Sequence, residues 1–307
     1  MMRKAFVSIV AFVLAFATAF AAEPARGKLN FLVLSDLGDF GGGDQLQVAE
    51  TLGEFTESWT PTAILNLGDT FHYWGVESVD DPAWQQNFES IYTAPALHNM
   101  WYCVLGNHDY QGNTQAELDY TRRSRRWNLP ARNYTKTFSR GDTSVEVIFY
   151  DSTPYLRRAR TQPDVYPDAA RQDTAATTAW LRDRLAASQA DWTVVCAHHP
   201  LYSARDDASR QREDILTHIG PVLRHAAPDL YLAGDVHCFE HFAPAGQPTD
   251  FVTCSSGSNA YPVTALPEEK FASGASGFMT LAVDRDRLTL TMYDAEGRQI
   301  YEFSKTK

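Results

Sequence analysis

The residues of this 307-residue chain that could do chemistry fall in five short polar clusters. They are Ser35-Asp36-Leu37-Gly38, Gly68-Asp69-Thr70-Phe71-His72, Gly106-Asn107-His108-Asp109, Ala197-His198-His199-Pro200 and Gly234-Asp235-Val236-His237. Each follows an apolar run. The first two offer carboxylates, the third an amide and an imidazole, the last two further imidazoles. Hard oxygen donors mixed with borderline nitrogen donors suit iron, zinc or manganese. Asp69, at the exit of an apolar run, is placed to bridge two cations, and Gly68 before it lets the backbone approach closely. Two ions about 3.5–4 Å apart lower the pKa of a bound water and clamp both oxygens of an in-line displacement at phosphorus. Such a pair needs few other catalytic groups, and no nucleophilic Ser or Cys stands out. His108, followed by Asp109, is placed to meet substrate. His199 reads as a loop residue and not a ligand.

The elements that must position these clusters follow from periodicity. Residues 29–35, 63–67, 101–105, 192–197 and 230–233 are short apolar runs, as expected for strands buried on both faces. Helical spacing marks 44–59, with Asp44 as N-cap, and also 82–92, 114–127, 171–187 and 212–225. Leu46, Val48, Leu52 and Phe55 line the first of these, and Ala175, Trp180, Leu181 and Leu185 face inward in the fourth. Residues 134–138 and 145–150 read as a hairpin around Arg140-Gly141-Asp142. Residues 151–170 carry prolines and charges without a period and read as a surface loop. The last third, with strands at 251–254, 278–283, 288–293 and 299–303, contains no helix. Units of strand and helix followed by a β-rich end fit two packed mixed sheets with helices outside. Ligands in such open sheets collect beyond the carboxyl ends of strands, where all five clusters lie.

At 44% hydrophobic residues the chain can bury one large core. Arg3 and Lys4 precede an uncharged apolar run, and Ala19-Phe20-Ala21 places small residues where a signal peptidase reads. Residues 1–21 are expected to be a cleaved secretory signal, leaving a single domain over 22–307 in the extracellular space or periplasm. No other stretch is apolar and long enough to span a bilayer. The formal charge is −11 from 27 basic and 38 acidic residues, and it becomes −13 without Arg3 and Lys4. An acidic chain disfavours a nucleic-acid partner, although bound ions dominate the field at a metal site. The basic run Arg122, Arg123, Arg125 and Arg126 reads as a solvated helix face. Four cysteines are too few for a disulfide scaffold, and Cys238 with Cys254 could pair only if their strands meet. A monomer is expected.

Gly-Asp-x-Phe with a ligand-type residue next, then Gly-Asn-His-Asp, His-x-Pro and Gly-x-x-His, in this order, resemble the metallophosphoesterase superfamily. More closely, the chain resembles the small purple, or tartrate-resistant, acid phosphatases over about residues 29–304. Trp101-Tyr102, Arg126-Trp127-Asn128, the helix over 178–187 and Ser255-Ser256-Gly257-Ser258-Asn259 are similar to segments of that family. The resemblance implies a four-layer αββα sandwich. It implies a first ion on Asp36, bridging Asp69, His72 and His237, and a second on Asp69, Asn107, His198 and Asp235. It implies His108, with Asp109, as catalytic residues, His108 meeting phosphate and helping to protonate the leaving group. The expected reaction is hydrolysis of small phosphate monoesters by a metal-bound hydroxide. A phosphodiesterase or nucleotide phosphoesterase, or a binding protein that has lost catalysis, stays open.

Two departures lie among the ligands. The family has tyrosine at the position of His72, whose phenolate on ferric iron gives the purple colour, and histidine at the position of Asp235. The number of anionic ligands stays at three, but one moves from the first ion to the second. A third departure is the family histidine after His-x-Pro, whose position falls near Asp207. Arg205 is the nearby cation that could take over its phosphate contact.

Overall fold

The structure is a computed structural model describing residues 28–205 and 209–307. The expected signal over residues 1–21 and the position near Asp207 lie outside the described residues. In chain order the strands and α-helices are β1 (Leu29–Leu34), α1 (Gln45–Ser58), β2 (Ala63–Asn66), β3 (Trp101–Cys103), α2 (Thr114–Tyr120), β4 (Trp127–Asn128), β5 (Tyr134–Arg140), β6 (Thr143–Phe149), α3 (Arg157–Thr161) and α4 (Thr174–Ala187). They continue with β7 (Trp192–Cys196), α5 (Ser209–His218), α6 (Gly220–Ala226), β8 (Leu230–Ala233), β9 (Phe239–Phe242), β10 (Asp250–Thr253), β11 (Glu269–Ser273), β12 (Gly277–Val283), β13 (Arg287–Asp294) and β14 (Gln299–Thr306).

The strands form two seven-stranded sheets, ordered β14-β13-β12-β1-β2-β3-β4 and β11-β9-β10-β8-β7-β6-β5. Both are mixed. β1 pairs parallel with β2 and antiparallel with β12, and β8 lies parallel between β7 and β10. The two-residue period of a strand sends alternate side chains to opposite faces. Phe31 and Val33 therefore enter a core between the sheets, with Leu65, Val147, Val194, Leu232 and Leu281. Leu32 and Leu34 face the helix layer, with Val48, Leu52 and Phe55 of α1. This gives the expected four layers. The central parallel strands β1, β2, β7 and β8 all end toward the same edge of the sandwich, where Asp36, Asp69, His198 and Asp235 meet. No helix among the described residues is long and apolar enough to cross a membrane.

Several elements differ from the pattern-based expectations. Asp44 precedes α1, but its carboxylate makes no cap bond; it accepts from Ser276 Oγ at 2.6 Å. Leu46 and Ala175 point to solvent. In place of a helix over 82–92 is a five-residue π-helical turn, Gln85–Glu89. Its Asn87 is tied to Phe40 N at 2.7 Å and to Gln45 Nε2 at 3.0 Å. The helix over 114–127 stops at Tyr120 because Trp127 is needed elsewhere: it pairs with Trp101 as β4 and packs on Phe71, Trp84 and Phe88. Arg126 is no solvated side chain. It is buried, binds Glu89 Oε2 at 2.9 Å and the carbonyls of Tyr92 and Phe88, and lies over the Phe88 ring. The segment after β6 is a packed connection that includes α3, with Leu156, Ala159 and Tyr166 in the core. Pro221 sits in the first turn of α6, where it starts a new helix and splits the expected 212–225 span. Cys254 is a buried free thiol, so the bridge to Cys238 does not form.

One buried group opposes this packing. Glu117, in the first turn of α2, is 1% exposed and neither carboxylate oxygen has a hydrogen-bond partner. Burial, with Asp109 and Asp69 nearby, pushes its pKa well above the ordinary carboxylate value. The folded chain then keeps a proton that the unfolded chain loses above about pH 4.5, so stability falls as pH rises through that window. Glu117→Gln should raise Tm at pH 7.5 by about 2–4 °C, the shift that about 1 kcal/mol gives in a domain of this size. The gain should shrink toward pH 4.5, as read by thermal unfolding of both proteins across pH.

Candidate metal centre

Four site residues are held in the left-handed region of the backbone, which non-glycine residues adopt rarely: Asp36 at φ 51°, Asp69 at 52°, Asp235 at 69° and His237 at 54°. Each leaves a strand end and turns its side chain back over the sheet edge. The turns are packed against one another. Asp36 N donates to Gly68 O at 3.0 Å and Leu37 N to Asp69 O at 3.1 Å, so the first two loops rise as a pair. Gly68, itself at φ 99°, lies so near the third and fourth loops that a Cβ would come within 2.9 Å of His198 Nδ1. A Cβ on Gly106 would meet Asp69 Oδ1 at 2.1 Å. Both positions exclude any side chain.

Asp69 is the centre. Its Oδ1 accepts from His108 N at 2.8 Å. Its Oδ2 lies 3.1 Å from His198 Nε2 and 3.5 Å from His72 Nε2. Asp36 Oδ1 lies 3.3 Å from His237 Nε2, while Asp36 Oδ2 accepts from Ser35 Oγ at 2.6 Å and Asp235 N at 3.0 Å. Three of these imidazoles have the other ring nitrogen fixed by the main chain. His72 Nδ1 donates to Gly38 O at 2.8 Å, His198 Nδ1 to Leu67 O at 2.7 Å and His237 Nδ1 to Asn259 O at 2.5 Å. A neutral ring so tethered carries its lone pair on Nε2 and aims it at the carboxylates. Asp36 Oδ1, His72 Nε2 and His198 Nε2 are buried without a hydrogen-bond partner.

Lone pairs facing lone pairs inside a protein require a cation between them. Without metal that cation is a proton. Burial opposes a charged imidazole, but Asp69 and Asp36 outweigh it, so the His72 pKa rises to about 9 and that of His198 rises well above the ordinary value. Burial likewise opposes the Asp69 carboxylate, yet His198, His108 and His72 hold its pKa well below the usual range. The donor atoms of Asp36, His72 and His237 lie within 4.8 Å of one another, as do those of Asp36, Asp69 and His198 and those of His198, His199 and Asp235. Oxygen and imidazole donors with fixed tautomers, unpartnered and buried, fit a metal pair.

Asp235 sits on the far side of Asp69, with Oδ1 3.8 Å from His198 Nε2. Burial raises its pKa to about 6. The Asn107 amide fits with its nitrogen toward His199 Nε2 at 3.1 Å and Asp235 Oδ1 at 2.9 Å. His199 lies in a loop, as read from sequence, but it is wholly buried: Nδ1 meets Ser152 Oγ at 2.8 Å, so its ring sets the orientation of Asn107. His108 Nδ1 donates to Tyr73 O at 2.9 Å, and the ring faces the cavity. Asp109 is placed differently from expectation. It is buried behind the cluster, where Oδ2 accepts from Asp69 N at 2.9 Å and Gly106 N at 2.8 Å. It positions Asp69 and does not line the cavity. Ser256 and Ser258 both donate to Asp36 O, at 2.7 and 3.0 Å, which gives the late serine-rich segment its place. His72, and not Tyr73, carries the ring that reaches Asp69; Tyr73 is 51% exposed.

The cluster opens into a cavity of about 550 Å³. Besides Asp69, His72, Asn107, His108, Asp235 and His237, its walls include Arg158, Gln211 and Tyr261, which the sequence reading missed, and Arg205. No motif marks Arg158 or Gln211, because each arrives from a helix remote from the five clusters.

Comparison with known proteins gives the family. The sequence pattern of the calcineurin-like phosphoesterase family matches residues 29–239. Purple acid phosphatase 4 of Arabidopsis thaliana is 32% identical, over 95% of this chain and 87% of its own length. Tartrate-resistant acid phosphatase type 5 of Oryctolagus cuniculus is 28% identical, over 92% of each. In fold the chain is similar to GAP50, the anchor in the inner membrane complex of Plasmodium, with a TM-score of 0.79, 22% identity and coverage of 92% and 89%. It is also similar to a purple acid phosphatase of yellow lupin seeds, with a TM-score of 0.65, 14% identity and coverage of 91% and 54%. The chain belongs to the calcineurin-like phosphoesterase family, among its purple acid phosphatases.

Proposed function

We propose that the protein is an exported phosphatase that hydrolyses phosphate monoesters at a pair of metal ions bridged by Asp69. The observation that carries this reading is the set of buried, unpartnered donor atoms around Asp69 with their tautomers fixed by the main chain. Asp36, Asp69, His72 and His237 would hold one ion, and Asp69, His198, Asp235 and Asn107 the other, the Asn107 amide turning over so that its oxygen and not its nitrogen faces Asp235. The chemistry such a pair supplies is a water activated near neutral pH and charge neutralisation at the phosphoryl oxygens. Three carboxylates against two divalent or higher cations would leave the centre positive until the activated water loses its proton, which would favour a dianionic monoester over a monoanionic diester at the binding step. His108, on the cavity wall with Nδ1–H held by Tyr73 O, would in its protonated form donate through Nε2 to the phosphoryl group and pass that proton to the leaving oxygen. Asp109 keeps Asp69 aimed by holding its main-chain nitrogen.

Metal analysis with activity tests this directly. The purified protein should hold near two ions per chain and cleave an aryl phosphate monoester well ahead of the matching diester. Asn107→Ala should lower monoester kcat/KM by more than about 100-fold, beyond what loss of an outer contact costs. Absence of metal together with absence of hydrolysis would favour a binding protein on this fold. Because His72 replaces the phenolate, the loaded protein should show no visible charge-transfer band, and a purple preparation would place a tyrosine on iron. Export predicts a mature chain starting at Ala22, read by N-terminal sequencing of the secreted product; a product retaining residues 1–21 would contradict it.

A further inference from the structure

We propose that Gln211 and Arg158 are positioning residues that clamp Asp235 as a ligand of the second ion. This rests on the metal-pair reading above and adds what holds one of its ligands. The main chain of Asp235 is fixed at φ 69°, with its N–H on Asp36 Oδ2 at 3.0 Å. The freedom left to the side chain is rotation of the carboxylate. Among the described residues two amides oppose that rotation, one on each oxygen. The Asn107 nitrogen donates to Oδ1 at 2.9 Å, and the Gln211 nitrogen donates to Oδ2 at 3.0 Å. Oδ1 is the oxygen that faces the ligand cluster, 3.8 Å from His198 Nε2 and 3.7 Å from His199 Nε2. Asn107 is itself a ligand in this reading, so its nitrogen leaves Asp235 when its oxygen turns to the metal. Gln211 then stays on Oδ2 and leaves Oδ1 to the ion.

Arg158 decides which end of the Gln211 amide Asp235 meets. Its Nη2 donates to the Gln211 oxygen at 2.8 Å. A guanidinium has no acceptor, so a reversed amide would set N–H against N–H on one side and oxygen against carboxylate on the other. The same contact puts a positive charge behind Asp235, where Asp36 and Asp69 already crowd the site with negative charge. The contact is not what docks the two helices. Gln211 lies on α5 and Arg158 on α3, and Asp214 of α5 already joins them: its Oδ2 accepts from Arg157 N at 2.8 Å, and its Oδ1 lies 3.5 Å from Arg157 Nη2. That bond lies on the exposed surface, whereas Gln211 and Arg158 line the cavity. Neither residue needs to touch substrate to act; each works through Asp235.

The test is equilibrium dialysis of the zinc-loaded full chain against buffers of graded free Zn2+, with the ions per chain counted by elemental analysis. Asp235→Ala marks the binding step that belongs to Asp235. Q211M keeps the side-chain size and removes both hydrogen bonds. It should weaken that step at least about tenfold, as loss of a contact that orients a ligand does, and the other step less than about threefold. R158M should weaken the same step about threefold or more, and R158K should restore most of it, because the lysine returns a donor and a charge. Arg158 acts through Gln211, so R158M added to Q211M should change the step by less than about twofold further. If Q211M does not fold, R158M carries the test, since it alters an exposed side chain. Both steps unchanged in Q211M, or both weakened equally, would overturn the clamp; so would R158M equal to wild type. The two readings fail differently. A wild-type chain that retains no zinc rejects the metal pair, and the clamp with it. Two ions retained with both steps intact in Asp235→Ala reject the clamp and leave the metal pair standing.

Discussion

The structure turns on one electrostatic constraint. Asp69 Oδ2 stands 3.1 Å from His198 Nε2 and 3.5 Å from His72 Nε2, while both rings have committed Nδ1–H to a main-chain carbonyl. Anionic oxygen and basic nitrogen at that separation repel unless a positive charge lies between them. Protons can serve, and the raised His72 pKa reflects it. A metal ion serves better, since it accepts several donors at once where a proton accepts two. The site is therefore shaped by charge deficiency: three carboxylates and at least three imidazoles converge, and Arg158 reaches them only through Gln211.

Convergence has a conformational cost, and the fold absorbs it. Of the six non-glycine residues with positive φ among those described, four are Asp36, Asp69, Asp235 and His237. Each such conformation costs of order 1–3 kcal/mol. The turns persist because they brace one another through main-chain bonds and close glycine contacts, and because Asp109, Ser256 and Ser258 hold them from behind. The central strands beneath, such as β1, β2 and β8, are buried along their whole length and give those loops a rigid base. Strain in the loops and rigidity in the strands belong to the same design: an aimed donor set is useful only if it cannot relax.

Much of this was legible in the sequence because buried parallel strands are continuous apolar runs and their exits are marked by glycine and polar residues. That signal placed β1, β2, β7 and β8, the two-sheet architecture, and the loops bearing the seven expected ligands. What escaped has specific causes. β9 contains Glu240 and His241 between phenylalanines, and β11 is a short polar edge strand, so neither shows an apolar run. Arg126 looks like one member of a basic face; only tertiary structure reveals that it gathers carbonyls from the π-helical turn. Asp109 sits in a motif associated with chemistry but faces backward. His199 lies in a loop by sequence, and its burial depends on Ser152 and Asn107, which are remote in sequence. Arg158 and Gln211 lie in segments with no motif, and their shared position at the cavity arises from packing alone.

Anomalous-scattering crystallography of the metal-loaded protein tests the central claim most directly. The account predicts two peaks about 3.5–4 Å apart with Asp69 bound to both, the Nε2 atoms of His72 and His237 on one ion and that of His198 on the other. A single ion, or two ions that do not share Asp69, would contradict it.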